Sequence, residues 1–462
     1  MKQQIITSLN PNNNFEVIGS VSISTSDEIH TKVTAARNAQ AGWAALGFKS
    51  RIAILEALYK EFVKRKEEIK LLAAQEMGMP IKVSEQVDLG AGLSYMRGYL
   101  DNAEKWLAPE IIFENELEIH YLSFEPIGVA GISIPWNFPF CNFIWGVIPH
   151  LAVGNTVVIK HSEECSLVGK LLDNIMQSVG LPAGVFNQVY GDGSSVGEVL
   201  MNSAIDILHF TGSTGVGKHL YQVAAQKFIP VILELGGSAP GIVCEDADLD
   251  LAIESIYFNR FANSGQTCDG LKRLIVHDSI FDEVVTRLKE LINTKIIGNA
   301  QEISTDIGPV VSKRQLNTLE EQVADALNKG AKVIMGGKKP TNLQGAYYEP
   351  TILTNISFDM RVWKDEVFAP ILPIVPFTID DQAIALANDT QYGLGAYVYS
   401  KSKDRALRIA NALKTGDVSI NTAYYGTAHD PFGGYKNSGL GREHGKHGFR
   451  ELCNAKVIAI KK

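Results

Sequence analysis

Along the first eighty residues apolar side chains recur with a helical period, and capping residues mark where the runs begin. Thr25 followed by Glu28 is a capping box and predicts a helix through about Ala45. Ser50 is placed to cap a second helix carrying Ile52, Leu55, Leu58, Phe62, Ile69 and Leu72, ended by Gly78 and Pro80. Residues 110–131, EIIFENELEIHYLSFEPIGVAG, alternate partly between apolar and polar and predict an extended hairpin standing apart. From residue 157 the pattern changes to short β-branched runs alternating with helical ones: VVIK, a helix after Ser162, GVFNQVY, DILHF, a helix from Gly215, and PVILE. Such alternation predicts a parallel, doubly wound sheet. Past Ala239 a second series runs from RLIVH through AKVIMGG, ILPIVPF and GAYVYS to DVSIN, and predicts a second α/β domain. The C-terminal CNAKVIAIKK reads as one more strand.

The run 127–154 is apolar enough to raise the question of a membrane span. Pro135, Pro139 and Pro149, with Asn137, Asn142 and His150, would break that helix and strand polar groups in lipid, so a buried core segment is the expectation. With 462 residues, 45% hydrophobic and 20% charged, the chain can bury a large core in two or three domains. Its net charge of -8, without a long run of either sign, lacks the basic footprint of a nucleic-acid binder and points to a soluble protein acting on a small molecule. Five cysteines without a CxxC pair argue against a disulfide framework and a structural zinc site, and favour a reducing cytoplasm. No secretory signal is read in MKQQIITSLNPNNN, and no metal site is expected.

Residues 210–219, FTGSTGVGKH, follow a strand and open a helix, where helix N-termini meet phosphates. Gly212, four residues, Gly217 and Lys218 spell a nucleotide-hydrolase loop until His219, a poor ligand for magnesium. The spacing of Gly212, Gly215 and Gly217 also differs from the usual dinucleotide fingerprint, and a plain tight turn fits the loop taken alone. Three other places carry chemistry. Cys268 in NSGQTCDG is flanked by small and polar residues, as suits a reachable nucleophile, whereas the other four cysteines read as buried thiols. Glu234 ends an apolar strand and runs into Gly236 and Gly237, a place for proton transfer if burial raises its pKa, or for a capping or paired carboxylate. Asn137, framed by the prolines of PWNFP, is suited to donate to a developing oxyanion, or is a turn asparagine.

Taken together and in order, PWNFP, FTGSTGVGK, LELGG, NSGQTC, EVFAP and PFGGYKNSGLGRE resemble the signature set of the NAD(P)-dependent aldehyde dehydrogenase superfamily, over essentially the whole chain. Glu234 stands 34 residues before Cys268, as is that family's habit. The resemblance implies a Rossmann-like NAD-binding domain (1–107 and 127–236), an α/β catalytic domain (237–430), and oligomerisation segments (108–126 and 447–462) of a homodimer or homotetramer. It implies that Cys268 attacks an aldehyde, that Asn137 holds the oxyanion, and that Glu234 activates the water that hydrolyses the thioester. Lys160, Glu163, Gly212, Ser213, Gly217, Trp136, Glu366 and Phe368 are the implied cofactor contacts. Glu163 would accept from the ribose 2′-hydroxyl and repel a 2′-phosphate, which favours NAD, with NADP as the alternative; His161 departs from the proline frequent there.

Several words resemble a short bacterial branch that includes succinate semialdehyde dehydrogenases. The arginines that pair with a substrate carboxylate in those relatives are replaced here by Trp145 and Ala262, and Asp269 adds negative charge. Phe138, Trp145 and Phe432, with Asn142 as a polar contact and Thr267 and Asp269 beside the nucleophile, suggest an aromatic pocket for an uncharged aldehyde. A succinate semialdehyde dehydrogenase is the alternative. A P-loop hydrolase and a catalytically silent binding protein are weaker readings, because the first lacks its magnesium ligand and the second would have lost Cys268 or Glu234.

Overall fold

A computed structural model describes residues 4–422 and 426–462. Two parallel sheets form its centre, and the chain is mixed α/β, as the alternating runs predict. The first sheet runs, edge to edge, through Gly439–Leu440, Val231–Glu234, Ile207–Thr211, Val129–Ser133, Thr156–Lys160 and Phe186–Val189. All its pairings are parallel except that of Gly439–Leu440 with Val231–Glu234. The chain enters at Val129–Ser133 in the middle, winds outward to one side, then crosses back to Ile207–Thr211 on the other. That reversal opens a crevice at the carboxyl ends of the strands, the place where such sheets receive ligands.

Buried on both faces, these strands read as unbroken apolar runs rather than alternating ones. The doubtful apolar segment supplies both Val129–Ser133 and the helix Pro139–Val153, nearly all of whose residues are buried. Pro139 sits at the start of that helix, where its missing N–H costs nothing, and Gly154 ends it in the left-handed region at φ 104°. His150 and Asn155 find partners inside: Asn155 Nδ2 lies 3.1 Å from His150 Nδ1 and donates to the Leu452 carbonyl at 3.0 Å. No described helix is long and apolar enough to cross a membrane.

The second sheet has seven strands in the order Lys332–Met335, Thr351–Thr354, Ile371–Phe377, Leu271–His277, Ala239–Val243, Tyr397–Tyr399, Ser419–Ile420, parallel apart from its first edge strand. Leu271–His277 lies near its centre, and Cys268, just before it, shares a cleft lining with Thr211 and Glu234 at the strand ends of the first sheet.

Several local expectations are corrected. The helix Ser26–Ala45 starts with both bonds of the Thr25–Glu28 capping box. Ser50, however, caps nothing: the next helix, Phe48–Lys64, begins after Gly47 at φ 75°, and Ser50 falls inside its first turn. The run assigned to one helix is two, because Arg65 divides Phe48–Lys64 from Lys66–Met77. A hairpin of Ile5–Asn10 and Glu16–Ser22 precedes the first helix, and Leu89–Leu107 is a long amphipathic helix; neither follows from the pattern reading above. The expected protruding hairpin is present as Glu110–Glu114 and Glu118–Pro126, but the C-terminal strand Cys453–Lys461 pairs with it within the same chain. The resulting three-stranded sheet exposes Ile111, Ile112, Phe113, Leu117, Val457, Ile458 and Ile460.

Candidate active site

The loop that carries Cys268 is built from strained backbone held by side chains. Asn263, Ser264 and Gly265 take φ of 49°, 54° and 72° in succession, a left-handed run that non-glycine residues adopt only under constraint. The constraint is visible: Ser264 Oγ donates to the Gly308 carbonyl at 2.8 Å, Asn263 Nδ2 to the Asn137 carbonyl at 2.8 Å, and Gln266 Oε1 accepts from Val311 N at 2.9 Å. The loop delivers Cys268 to the seam of two cavities. One is largely apolar and walled by aromatic side chains. The other is a cleft lined by the glycine-rich strand ends.

Asn137 stands across from the cysteine loop at the turn into Pro139–Val153. Its amide nitrogen donates to the Gln266 carbonyl at 3.1 Å, and its oxygen accepts from Asn142 Nδ2 at 3.3 Å, which fixes the plane of the amide. That helix start is itself anchored by Asp88, which accepts from Phe140 N at 3.1 Å and Cys141 N at 2.8 Å. Asn142 therefore supports Asn137 and lines the cleft; it does not border the apolar cavity expected to receive it.

Glu234, the last residue of its strand, is buried and lines the cleft with Cys268, and neither carboxylate oxygen has a hydrogen-bond partner among the described residues. Burial first, and then the nearby Glu443 carboxylate, push its pKa well above the ordinary range, with Arg442 opposing. An unpaired buried carboxyl is costly, which is why such groups mark functional sites. The Cys268 thiol is likewise held well above its ordinary range, by burial and then by Asp269, whose Oδ1 lies 3.7 Å from Sγ.

The expected cofactor residues divide into two groups. Trp136, Gly212, Ser213, Glu366 and Phe368 line the same cleft as Cys268 and Glu234. Trp136 and Phe368 meet edge to face at 5.6 Å. Glu163 borders a separate pocket with Asp192, Ser194, Phe210, Val216 and His219, and Arg314 borders both. Lys160 is buried and donates to the His161 carbonyl at 2.9 Å and to Glu163 Oε2 at 3.3 Å. Gly217 is packed: a Cβ there would lie 2.4 Å from Leu235 Cδ2, so glycine lets the helix Thr214–Lys227 approach the strand end. His161 is buried with both ring nitrogens unpartnered among the described residues, and burial lowers its pKa to about 3. His219 pairs with Glu198 at 2.8 Å on the surface, away from any magnesium role.

Phe138, Trp145, Thr267, Asp269 and Phe432 border the apolar cavity with Cys268, and Ala262 joins them. Tyr95, Phe258, Asn259, Tyr397 and His444 also line its wall, and sequence reading missed them all. The rings pack on one another: Trp145 lies 5.3 Å from Tyr95 and 5.2 Å from His444. No lysine or arginine borders this cavity among the described residues.

The sequence profile of the aldehyde dehydrogenase family matches residues 1–458. The chain belongs to the aldehyde dehydrogenase family. This aldehyde dehydrogenase is 36% identical over 449 residues to the mitochondrial succinate-semialdehyde dehydrogenase of Oryza sativa subsp. japonica, covering 96% of this chain and 84% of that one. Among solved structures it is similar to an E. coli NADP-dependent enzyme (TM-score 0.95, 34% identity, 99% of this chain and 95% of that one). It is equally similar in fold to the NAD+ complex of an aldehyde dehydrogenase from Bacillus cereus (TM-score 0.95, 32% identity, 99% of this chain and 93% of that one). The hydrolase and silent-protein readings give way to an oxidoreductase that converts aldehydes to acids with NAD(P).

Proposed function

We propose that this aldehyde dehydrogenase uses NAD to oxidise an uncharged aldehyde through a thioester on Cys268. The observation that carries the reading is the position of Cys268 at the seam of an apolar cavity and a glycine-lined cleft, with Glu234 and Asn137 on the cleft side. The cleft fits a dinucleotide. Ser213 precedes the helix Thr214–Lys227 without spending its hydroxyl on a cap, so the first N–H groups of that helix remain for a pyrophosphate. Glu366 and Glu163 are the carboxylates for the two riboses, and Phe368 and Trp136 are the apolar contacts for the ring.

The aldehyde enters from the aromatic side. Sγ of Cys268, as thiolate, attacks the carbonyl carbon, and the oxyanion takes hydrogen bonds from Asn137 and the Cys268 N–H. NAD, when bound, supplies the acceptor for the hydride that leaves the tetrahedral carbon and so makes the thioester. Glu234 then takes a proton from water as the water attacks; the C–S bond breaks, the acid leaves and the cysteine is restored. Unpaired carboxylate oxygens at Glu234 suit a base whose partner is a passing water.

An aldehyde bearing its own carboxylate would have to lose water among rings and beside Asp269 without a basic partner, a penalty of several kcal/mol. The pocket therefore favours uncharged aldehydes over succinate semialdehyde. Glu163 at the Lys160 ammonium favours NAD over NADP. The exposed apolar edges of the three-stranded sheet suit pairing with further copies of the chain. Following NADH absorbance with NAD and hexanal, benzaldehyde or succinate semialdehyde tests the reading: higher kcat/KM for the first two supports it, and a clear preference for succinate semialdehyde refutes it.

A further inference from the structure

Lys272 follows Cys268 by four residues, lies in the strand Leu271–His277, and has a fully buried side chain. A buried ammonium is expensive unless each of its donors is used. Here all three are. Nζ donates to the Gly237 carbonyl at 2.8 Å, to the Cys268 carbonyl at 2.8 Å and to Glu366 Oε1 at 2.5 Å, above the Phe368 ring at 5.2 Å. The three acceptors come from the three parts of the site: the glycine turn just after the base strand, the nucleophile loop, and the carboxylate assigned to the cofactor. Glu366 Oε1 also accepts from Gly237 N at 3.0 Å, and a Cβ on Gly236 would lie 2.3 Å from Glu366 Oε2, so the carboxylate is seated against that turn.

Arg260, also fully buried, is a useful contrast. It donates to the carbonyls of Leu271, Gly265 and Val367, which holds backbone, and it hydrogen-bonds no acidic side chain among the described residues. Lys272 brings its charge to the nucleophile's own carbonyl and to a cofactor carboxylate together.

We infer that Lys272 is a positioning residue of the site, fixing the Cys268 loop and Glu366 in one frame and placing a cation where it favours a negative sulfur. This rests on the reading of Cys268 as nucleophile and of Glu366 as cofactor ligand. The surrounding charges give the sign. Asp269, Glu366 and Glu234 oppose ionisation of Cys268, Lys272 favours it, and Arg260 faces Lys272. Removing the ammonium should make the thiolate harder to form and leave Glu366 free to swing. Removing the Glu366 charge should do the reverse to the sulfur.

The test needs no aldehyde. In the full-length protein, the rate at which iodoacetamide alkylates Cys268, read on its peptide by mass spectrometry, is followed against pH, and the affinity for NAD by quenching of intrinsic fluorescence. For Lys272→Met the alkylation profile is expected to move up by about one pH unit or more, with NAD binding about tenfold weaker. For Glu366→Gln the profile is expected to move down, an outcome that holds even if Lys272→Met fails to fold. A folded Lys272→Met protein with the alkylation profile and NAD affinity of the parent overturns the inference, as does a Glu366→Gln profile that stays in place or moves up. Retained aldehyde oxidation by Cys268→Ser would instead remove the proposed nucleophile, leaving the alkylation arms to decide Lys272.

Discussion

The side-chain amide of Asn263 donates to the backbone carbonyl of Asn137 across 2.8 Å, while the Asn137 amide donates back to the Gln266 carbonyl at 3.1 Å. These two bonds tie the turn that presents Asn137, the proposed oxyanion donor, to the loop that presents Cys268, the proposed nucleophile. Asn137→Ala removes the donor, and kcat is expected to fall by about 10²–10³-fold, as for other oxyanion donors. Asn263→Ala leaves the donor but loosens its seat, and a smaller loss in kcat, about tenfold, is expected with little change in KM. Equal losses for the two variants would mean that Asn137 serves only the loop. Steady-state kinetics on the pair decide.

Glu234 becomes a base only when ionised, and burial with Glu443 raises its pKa well above the ordinary carboxylate range. The proton leaves Glu234 late as pH rises, so steady-state turnover is expected to keep climbing above the ordinary carboxylate range rather than level off near pH 5. In Glu234→Gln that limb is expected to vanish from the steady state. The pH dependence of the first turnover, which reports the Cys268 thiol, should remain. A parent enzyme with flat turnover from pH 5 to 8 would contradict the assignment.

Asp88 is fully buried at the start of the helix Pro139–Val153, where burial raises its pKa to about 7 from 3.8 against the bonds from Cys141 and Phe140. Its folded value lies above its unfolded one, so its stabilising contribution is complete below pH 3.8 and is lost as pH rises to about 7. Asn at this position keeps an acceptor for both N–H groups and carries no charge. Relative to Asp88→Asn, the parent is expected to lose stability between about pH 4 and pH 7, on the order of 4 kcal/mol at most, and to stay level above that. Denaturant midpoints at several pH values measure it, and a difference independent of pH would refute the burial argument.

Glu163 lies at the Lys160 ammonium and borders the pocket expected to take the adenosine ribose. Glu163→Gln removes the charge that repels a 2′-phosphate while keeping a hydrogen-bonding group. The ratio of kcat/KM for NADP over NAD is expected to rise by about tenfold, because one unscreened like-charge contact costs on the order of 1 kcal/mol or more near a protein surface. An unchanged ratio would place cofactor selection elsewhere.

Much of this site is written in short words of sequence, because a cysteine among small and polar residues, a strand-end carboxylate and a proline-framed amide are each local. Cys268, Glu234 and Asn137 are found that way and do meet around one cleft. The parallel strands were equally legible, since double burial leaves unbroken β-branched runs. What was illegible depends on partners far along the chain. Lys272 stands just before the run RLIVH and shows nothing in the sequence of its partner Glu366, 94 residues away. Tyr95 and His444 enter the aromatic cavity from opposite ends of the sequence. Asn142 borders the cleft and not the aromatic cavity expected for it, because its amide turns to Asn137. Ser50 failed as a cap for a local reason: Gly47 at φ 75° turns the chain early and lets Phe48 begin the helix.

The central claim is a covalent thioester on Cys268 whose hydrolysis needs Glu234. Mixing Glu234→Gln protein with NAD and hexanal, quenching, and weighing the Cys268 peptide tests it most directly. One NADH per site and a hexanoyl group on Cys268 are the expected result; continuous NADH production at the parent rate, with Cys268 unmodified, would contradict it.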